Sequence, residues 1–495
     1  MPEHQHDDAP APPPLAHEDR SLELDADAMR ELAATALERV IEHIETLPSQ
    51  PAWVDTTGAV AGAKQLAEPL PTTATPLAAL LDEVFDVHTP QSFTTAGPGY
   101  LAYIPGGGLF QSGVADLIAD GINRYTGVLA AAPGLVQLEN NVVRWFCEII
   151  GYPPGSGGVL TSGGSLANLG AVVAARTTKL GDNFLDGTIY VSDQVHHCVD
   201  KAARIAGFPR RNLRAIGTDA AYRLDLAELE RAIERDRGDG LRPFMVVGSA
   251  GTTNTGAIDP LDAMAELARR HDLWFHIDGA YGGFFNMTQR GRAVLAGIDQ
   301  ADSVVLDPHK ALFLPYGTGA LLVRNIDLLK AAHSEFADYM PMIQNDPDLI
   351  DPCEVSPELS KPFRGLRVWL PMKLHGVDPF RNNLDEKLDL AEWIGDRLRA
   401  LDGLEILAEP QLSTLAFAVR TEDLSVERAN ELTHELMAAT NRRRRVHLTG
   451  TQLGGRFAVR ISILSFRTHG DRMEACLEDI QAALAEVLES RSAAR

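Results

Sequence analysis

Five short stretches of this 495-residue chain bring together residue types that chemistry uses. The apolar run SVVLDP leads into His309-Lys310. A lysine at the end of a buried strand is poorly solvated, so its pKa is expected to fall towards the neutral amine that condenses with a carbonyl to form an imine. A lysine that snorkels to the surface or pairs with Asp307 reads the same way. His276-Ile277-Asp278-Gly279-Ala280 follows a second apolar run, where a buried aspartate needs a partner: a cationic pyridinium N–H, an arginine or a helix N-terminus. Thr161-Ser162-Gly163-Gly164-Ser165, followed by LANLGAVVAAR, reads as strand, glycine-rich turn and helix. That start offers backbone N–H groups and the Ser165 hydroxyl to a phosphate, or is a capped tight turn. Ser192-Asp193-Gln194-Val195-His196-His197 places imidazoles at a strand end, suited to lying on a planar ring, to moving a proton, or to a surface or capping role. Gly251-Thr252-Thr253-Asn254-Thr255-Gly256 offers hydroxyls that orient a polar ligand or shape a turn. Each stretch is ambiguous alone. Together they supply a phosphate cradle, a ring-stacking imidazole, an anion for a pyridinium nitrogen and an imine-forming lysine.

The elements that must position these groups are visible as a change of pattern. Residues 22–150 carry apolar residues at helical spacing, interrupted by GPGYLAYIPGGGLF at 97–110. From Gly157 the runs GGVLTSG, TIYVSD, LRAIG, PFMVVGSAG, LWFHIDGA, SVVLDP and GALLVRN alternate with helical stretches. Several are too continuously apolar to have a wet face, which predicts an α/β fold with a mainly parallel seven-stranded sheet covered by helices on both sides. Ligands of such sheets sit at the carboxyl ends of the strands, where the polar clusters lie. A long amphipathic helix from Asp378 leads into a small α+β unit with strands at LEILAEP, STLAFAVR, VHLTG and RFAVRISIL and helices near 425–440 and 470–490. The expected division is a disordered tail at 1–20, a helical segment at 21–95, a large domain at 96–378 and a small domain at 379–495.

Composition narrows the partners. A net charge of −23 argues against nucleic acid or an anionic membrane. The basic run Arg442-Arg443-Arg444-Arg445 is the exception, and it is expected to be a solvated face. No run of about 18 uncharged apolar residues suggests a membrane-spanning helix, and the acidic, proline-rich start does not resemble a signal peptide. Cys147, Cys198, Cys353 and Cys476 lack metal-site or disulfide spacing and suit a reducing cytoplasm, with no metal expected.

With these motifs in hand, the chain resembles the pyridoxal-phosphate-dependent amino-acid decarboxylases of the aromatic-amino-acid and glutamate decarboxylase type, which share the aspartate-aminotransferase fold. The likeness runs from about Pro98 to Leu484 and is strongest in SDQVHHCVDKAA, HIDGAYGG and DPHKALFLPYGTGALLVRN. It implies that Lys310 holds pyridoxal 5′-phosphate through an imine, Asp278 pairs with the pyridine nitrogen and His196 stacks on the ring. Ala280 would pack beneath the ring, Thr253 would lie near the ring hydroxyl, and Gly164, Ser165 and His309 would hold the phosphate. Counting forward from Lys310 places the family's loop tyrosine at Tyr339, as proton donor to Cα. The likeness also implies a homodimer and a substrate wall at Tyr103 and Ile104, with Tyr125 and Thr126 from the partner subunit, which weakly favours an aromatic amino acid.

Two positions depart from the family pattern. Asp307 stands where asparagine is common, and a carboxylate there is expected to turn away from a phosphate. Ala311 stands where an aromatic residue is common. An aminotransferase, a lyase, an aldehyde-releasing oxidase or a cofactor-binding homologue without turnover would use the same scaffold.

Overall fold

The computed structural model describes residues 22–334, 349–422 and 424–493, with side chains to residue 489. Its contacts divide the chain into two units, residues 1–47 with 55–92, and residues 48–54 with 93–495. In the first unit, helix α1 (Ala26–Thr46) is capped by Asp25, whose side chain accepts from the N–H groups of Asp27 and Ala28. None of the α1 residues is buried, although Met29, Leu32, Leu37 and Val40 are large apolar residues on it.

The second unit is built on β1 (Gly157–Thr161), β2 (Gly187–Ser192), β3 (Leu213–Ile216), β4 (Arg242–Ser249), β5 (Trp274–Asp278), β6 (Ser303–Leu306) and β7 (Gly319–Val323), in the order β1-β7-β6-β5-β4-β2-β3. The pairs β6-β5, β5-β4, β4-β2 and β2-β3 are parallel. Strand β7 is antiparallel to both neighbours, so β1 again runs the same way as β6. Five strands that precede the polar clusters therefore end at one edge of the sheet. Alternate residues serve opposite faces. Val246, Phe275, Ile277 and Val304 join one core; Met245, Val247, Trp274 and Val305 join the other, with Ala167, Ala171, Ala174 and Ala175 of helix α2 (Gly164–Lys179). The sheet is thus apolar on both faces, as the continuous runs require.

Strands β8 (Leu404–Ala408), β9 (Thr414–Val419), β10 (Thr449–Leu453) and β11 (Arg456–Ser462) form an antiparallel sheet in the order β10-β11-β9-β8. It packs with α3 (Asp378–Arg399), α4 (Val426–Arg442) and α5 (Gly470–Ala493) around a third core that includes Leu398, Phe417, Leu436, Val459 and Ile480. The third strand lies later than the VHLTG run suggests. Gly454 and Gly455, at φ +56° and +83°, make a two-residue hairpin loop that fixes the β10–β11 register, and Val446–Leu448 instead lead in beside Gly99–Leu101. The arginine run is not simply a solvated face either. Arg443 pairs with Glu486, and Arg445 pairs with Glu478 at 2.8 Å and with the buried Asp479 at 2.6 Å, tying the end of α4 to α5. The two sheets are linked by Tyr281 Oη, 2.8 Å from Ser413 Oγ, and by Arg460, which donates to the Asn254 carbonyl at 3.0 Å.

Candidate active site

The carboxyl ends of β1, β2, β4, β5 and β6 surround a cavity of ≈ 310 Å³. Gly163, Gly164 and Ser165 enter it from the start of α2, His196 and Cys198 from the segment after β2, and Thr252 and Thr253 from the loop after β4. Asp278 and Ala280 enter from the end of β5, and Asp307, His309 and Lys310 from the segment after β6. All eight residues read as cofactor-holding in the sequence thus line one cavity. Helix α2 has Gly163 as its N-cap and no side-chain cap, which leaves first-turn N–H groups and the positive end of the dipole for an anion. A Cβ added at Gly164 would lie 2.9 Å from Asp307 Oδ2 and 3.3 Å from the Ala280 Cβ, so only glycine keeps this wall open.

Lys310 Nζ lies 2.9 Å from Asp307 Oδ2. Burial alone would lower the amine pKa, but the carboxylates of Asp307 and Asp278 outweigh it and the pKa is raised. The expected fall is thereby corrected: the strand end is poorly solvated, yet it places two anions beside the cation. Asp307 does not turn away. The residue is 2% exposed, Oδ2 faces Lys310 and Gly164, and Oδ1 is buried without a hydrogen-bond partner. Burial lowers the His196 pKa, only partly offset by Asp278, which favours the neutral imidazole. The His309 Nδ1 lies 2.6 Å from the Thr318 carbonyl, which makes it the donor and directs the ring.

The expected substrate-wall residues stand outside this cavity of the single chain. Ile104 is buried in the main core, while Tyr103 and Tyr125 are 55% and 42% exposed, and none of the three lines the cavity. Their loop does pass close by: a Cβ on Gly106 would fall 2.1 Å from the His309 carbonyl oxygen. Tyr339 lies outside the described residues. Sequence reasoning missed Asn168 and Cys198 as cavity residues. Asn168 was legible as the residue one helical turn after Gly164, on the same face; Cys198 carried no signal beyond adjoining His197.

The cavity fits a planar, phosphorylated pyridine that bears an aldehyde. It has an open glycine cradle at a helix start, a carboxylate at a strand end, a neutral imidazole and an amine, all on one sheet edge. Comparison with known proteins agrees. The pyridoxal-dependent decarboxylase conserved domain matches residues 62–420. An aromatic-L-amino-acid decarboxylase of Bacillus atrophaeus is 33% identical over 469 residues, which cover 94% of this chain and 98% of the relative. The crystal structure of Oryza sativa TDC with PLP and tryptamine superposes with a TM-score of 0.87 at 26% identity, covering 94% of this chain and 99% of that one. Rhodiola rosea 4-hydroxyphenylacetaldehyde synthase gives 0.85 at 26% identity, with the same coverage of both chains. A domain match across most of the chain, laid over a cavity that already asks for this kind of cofactor, places the chain in the pyridoxal-dependent decarboxylase family.

Proposed function

We propose that this protein removes the α-carboxylate of an aromatic L-amino acid as CO2 and releases the amine, using pyridoxal 5′-phosphate. The observation that carries the reading is the convergence of Lys310, Asp278, His196 and the Gly164 cradle on one cavity. Aromatic-L-amino-acid, tryptophan and tyrosine decarboxylases among the relatives favour an aromatic substrate. When bound, the cofactor supplies an electron sink for the bonding pair left by departing CO2.

The chain's own residues direct that chemistry. Lys310 anchors the cofactor covalently through Nζ, and Gly164, Ser165 and His309 hold its phosphate. Asp278 accepts the ring N–H and keeps that nitrogen protonated, which maintains the sink. His196 and Ala280 would hold the ring between them, and Thr253 would offer its hydroxyl to the ring's polar substituent. Tyr339 delivers the proton to Cα, and Tyr103, Ile104 and Tyr125 shape the side-chain site in a homodimer. The apolar residues left exposed on α1 support such an assembly. The proposed domains are 21–95, 96–378 and 379–495, in a cytoplasmic enzyme; no described helix is long and apolar enough to cross a membrane.

The test is incubation of the holoenzyme with a panel of amino acids while CO2 and amine are measured. Release of both from aromatic substrates is expected, and a cofactor-loaded protein that releases neither overturns the reading. Lys310→Ala is expected to leave no borohydride-reducible link to the protein. The likeness to an aldehyde synthase favours one second reading, oxidative release of an aldehyde. Tyr339→Phe separates the two: it is expected to slow amine formation and divert part of the product to a carbonyl compound, whereas an unchanged rate and product ratio remove Tyr339 from the reaction.

A further inference from the structure

Trp274, His276 and Asp278 are alternate residues of β5, so their side chains leave the sheet on the same face, towards α2. Ser303 of β6 stands in register with His276. On that face lies a continuous buried chain of hydrogen bonds. The Trp274 indole Nε1–H donates to Ser303 Oγ at 2.8 Å, and Ser303 Oγ lies 2.8 Å from His276 Nδ1. His276 Nε2 lies 2.9 Å from Asn168 Oδ1. Asn168 Nδ2 donates to the Gly164 carbonyl at 2.9 Å and to Asp278 Oδ2 at 3.3 Å, with Cys198 Sγ at 3.4 Å.

Donor and acceptor chemistry allows this chain one orientation. Turning the Asn168 amide over would set its oxygen against the Gly164 carbonyl and the Asp278 carboxylate. Its oxygen therefore faces His276, which must donate from Nε2. Nδ1 is then the bare nitrogen and accepts the Ser303 hydroxyl proton, while Ser303 accepts from the indole. Burial, which pushes the fully enclosed His276 imidazole down to about 4, maintains this neutral tautomer.

We infer that Asn168, held by His276, is a positioning residue for Asp278: it fixes the carboxylate that faces the cofactor's ring nitrogen and, through the Gly164 carbonyl, ties that end of the site to the phosphate cradle. The inference rests on the proposed pairing of Asp278 with the ring nitrogen. Without Asn168 the carboxylate keeps the Ala280 N–H on Oδ1 at 3.1 Å but loses its amide partner on Oδ2, so it holds the ring N–H less well, cofactor binding weakens and the nitrogen loses its proton at lower pH. The titratable groups that act on Asp278 are His276 on its own strand, His196 and Cys198 after β2, and Lys310 after β6, whose close partner is Asp307.

The experiment is equilibrium binding of pyridoxal 5′-phosphate to the cofactor-stripped full chain, with the absorbance of bound cofactor followed against pH. Asn168→Ala is expected to weaken binding about tenfold or more, because it leaves buried polar groups unsatisfied. It is also expected to move the spectral midpoint to lower pH, and in turnover to lower kcat with little change in KM. His276→Gln keeps an amide donor for Asn168 and is expected to stay close to wild type, whereas His276→Phe, which has none, behaves like Asn168→Ala. Wild-type affinity and midpoint in Asn168→Ala, or equal loss in both His276 variants, overturns the inference. Asp278→Asn separates the levels: lost affinity there beside wild-type affinity in Asn168→Ala overturns the positioning role alone, while wild-type affinity in both also removes the pairing on which it rests. Should Asn168→Ala fail to fold, the contrast between the two His276 variants decides.

Discussion

At Lys310 two carboxylates set the chemistry, Asp307 the more strongly. Asp307 Oδ2 lies 2.9 Å from the amine and holds its proton against the effect of burial. An asparagine there would keep the shape and remove the charge. Asp307→Asn is therefore expected to lower the pH at which Lys310 condenses with the cofactor aldehyde by about 1–3 units, the range typical of losing one close opposite charge. Stopped-flow absorbance across a pH series measures this, and an unmoved profile would show that Asp278 alone sets the amine. The identities of Lys310, Asp278, His196 and Gly164 were legible because each ends or follows a recognisable apolar run. The sign of the Lys310 shift was not, because it depends on which rotamer Asp307 adopts, and a sequence does not state that. Asn168 was only half legible for a similar reason: its spacing from Gly164 put it on the cradle's face of the helix, but nothing in the sequence showed that its partners are His276 and Asp278.

Among the elements, the strands of the large sheet were the most legible, because burial on both faces writes itself as unbroken apolar sequence. The small sheet was less so. Its third strand, TGTQL, has little apolar character, and its position comes from the hairpin rather than from its own residues. Gly454 and Gly455 both occupy the left-handed region, which suits the right-handed twist of the paired strands and strains other residues. Gly455→Val is accordingly expected to destabilise the protein by about 1–2 kcal/mol, read as a lower urea midpoint, whereas Gly455→Asn costs less because asparagine tolerates that region. Equal midpoints for valine and asparagine would mean the hairpin is not what fixes β10.

For the whole molecule, acid stability follows from histidines that folding keeps neutral. His447 is 5% exposed, packs on Phe93 and Tyr100 with ring centroids 4.6 and 5.3 Å away, and has Nδ1 buried without a partner. Burial pushes its pKa down to about 4, against an ordinary value of 6.5. Above pH 6.5 neither the folded nor the unfolded chain protonates this ring, so it has no effect on stability. Between 6.5 and about 4 the unfolded chain takes up a proton that the folded chain resists, and stability falls as the pH falls. The full difference corresponds to about 3 kcal/mol, reached near pH 4 and constant below it. Replacing His447 by phenylalanine keeps an aromatic ring against Phe93 and Tyr100 and removes the titration. His447→Phe is therefore expected to match or slightly exceed wild-type stability at pH 7.5 and to outlast it increasingly down to pH 4.5, as measured by urea unfolding at a series of pH values. Carboxylates protonate in both proteins over that range, so the difference between the two curves isolates His447, and parallel curves would mean that the ring is already solvated in the folded chain.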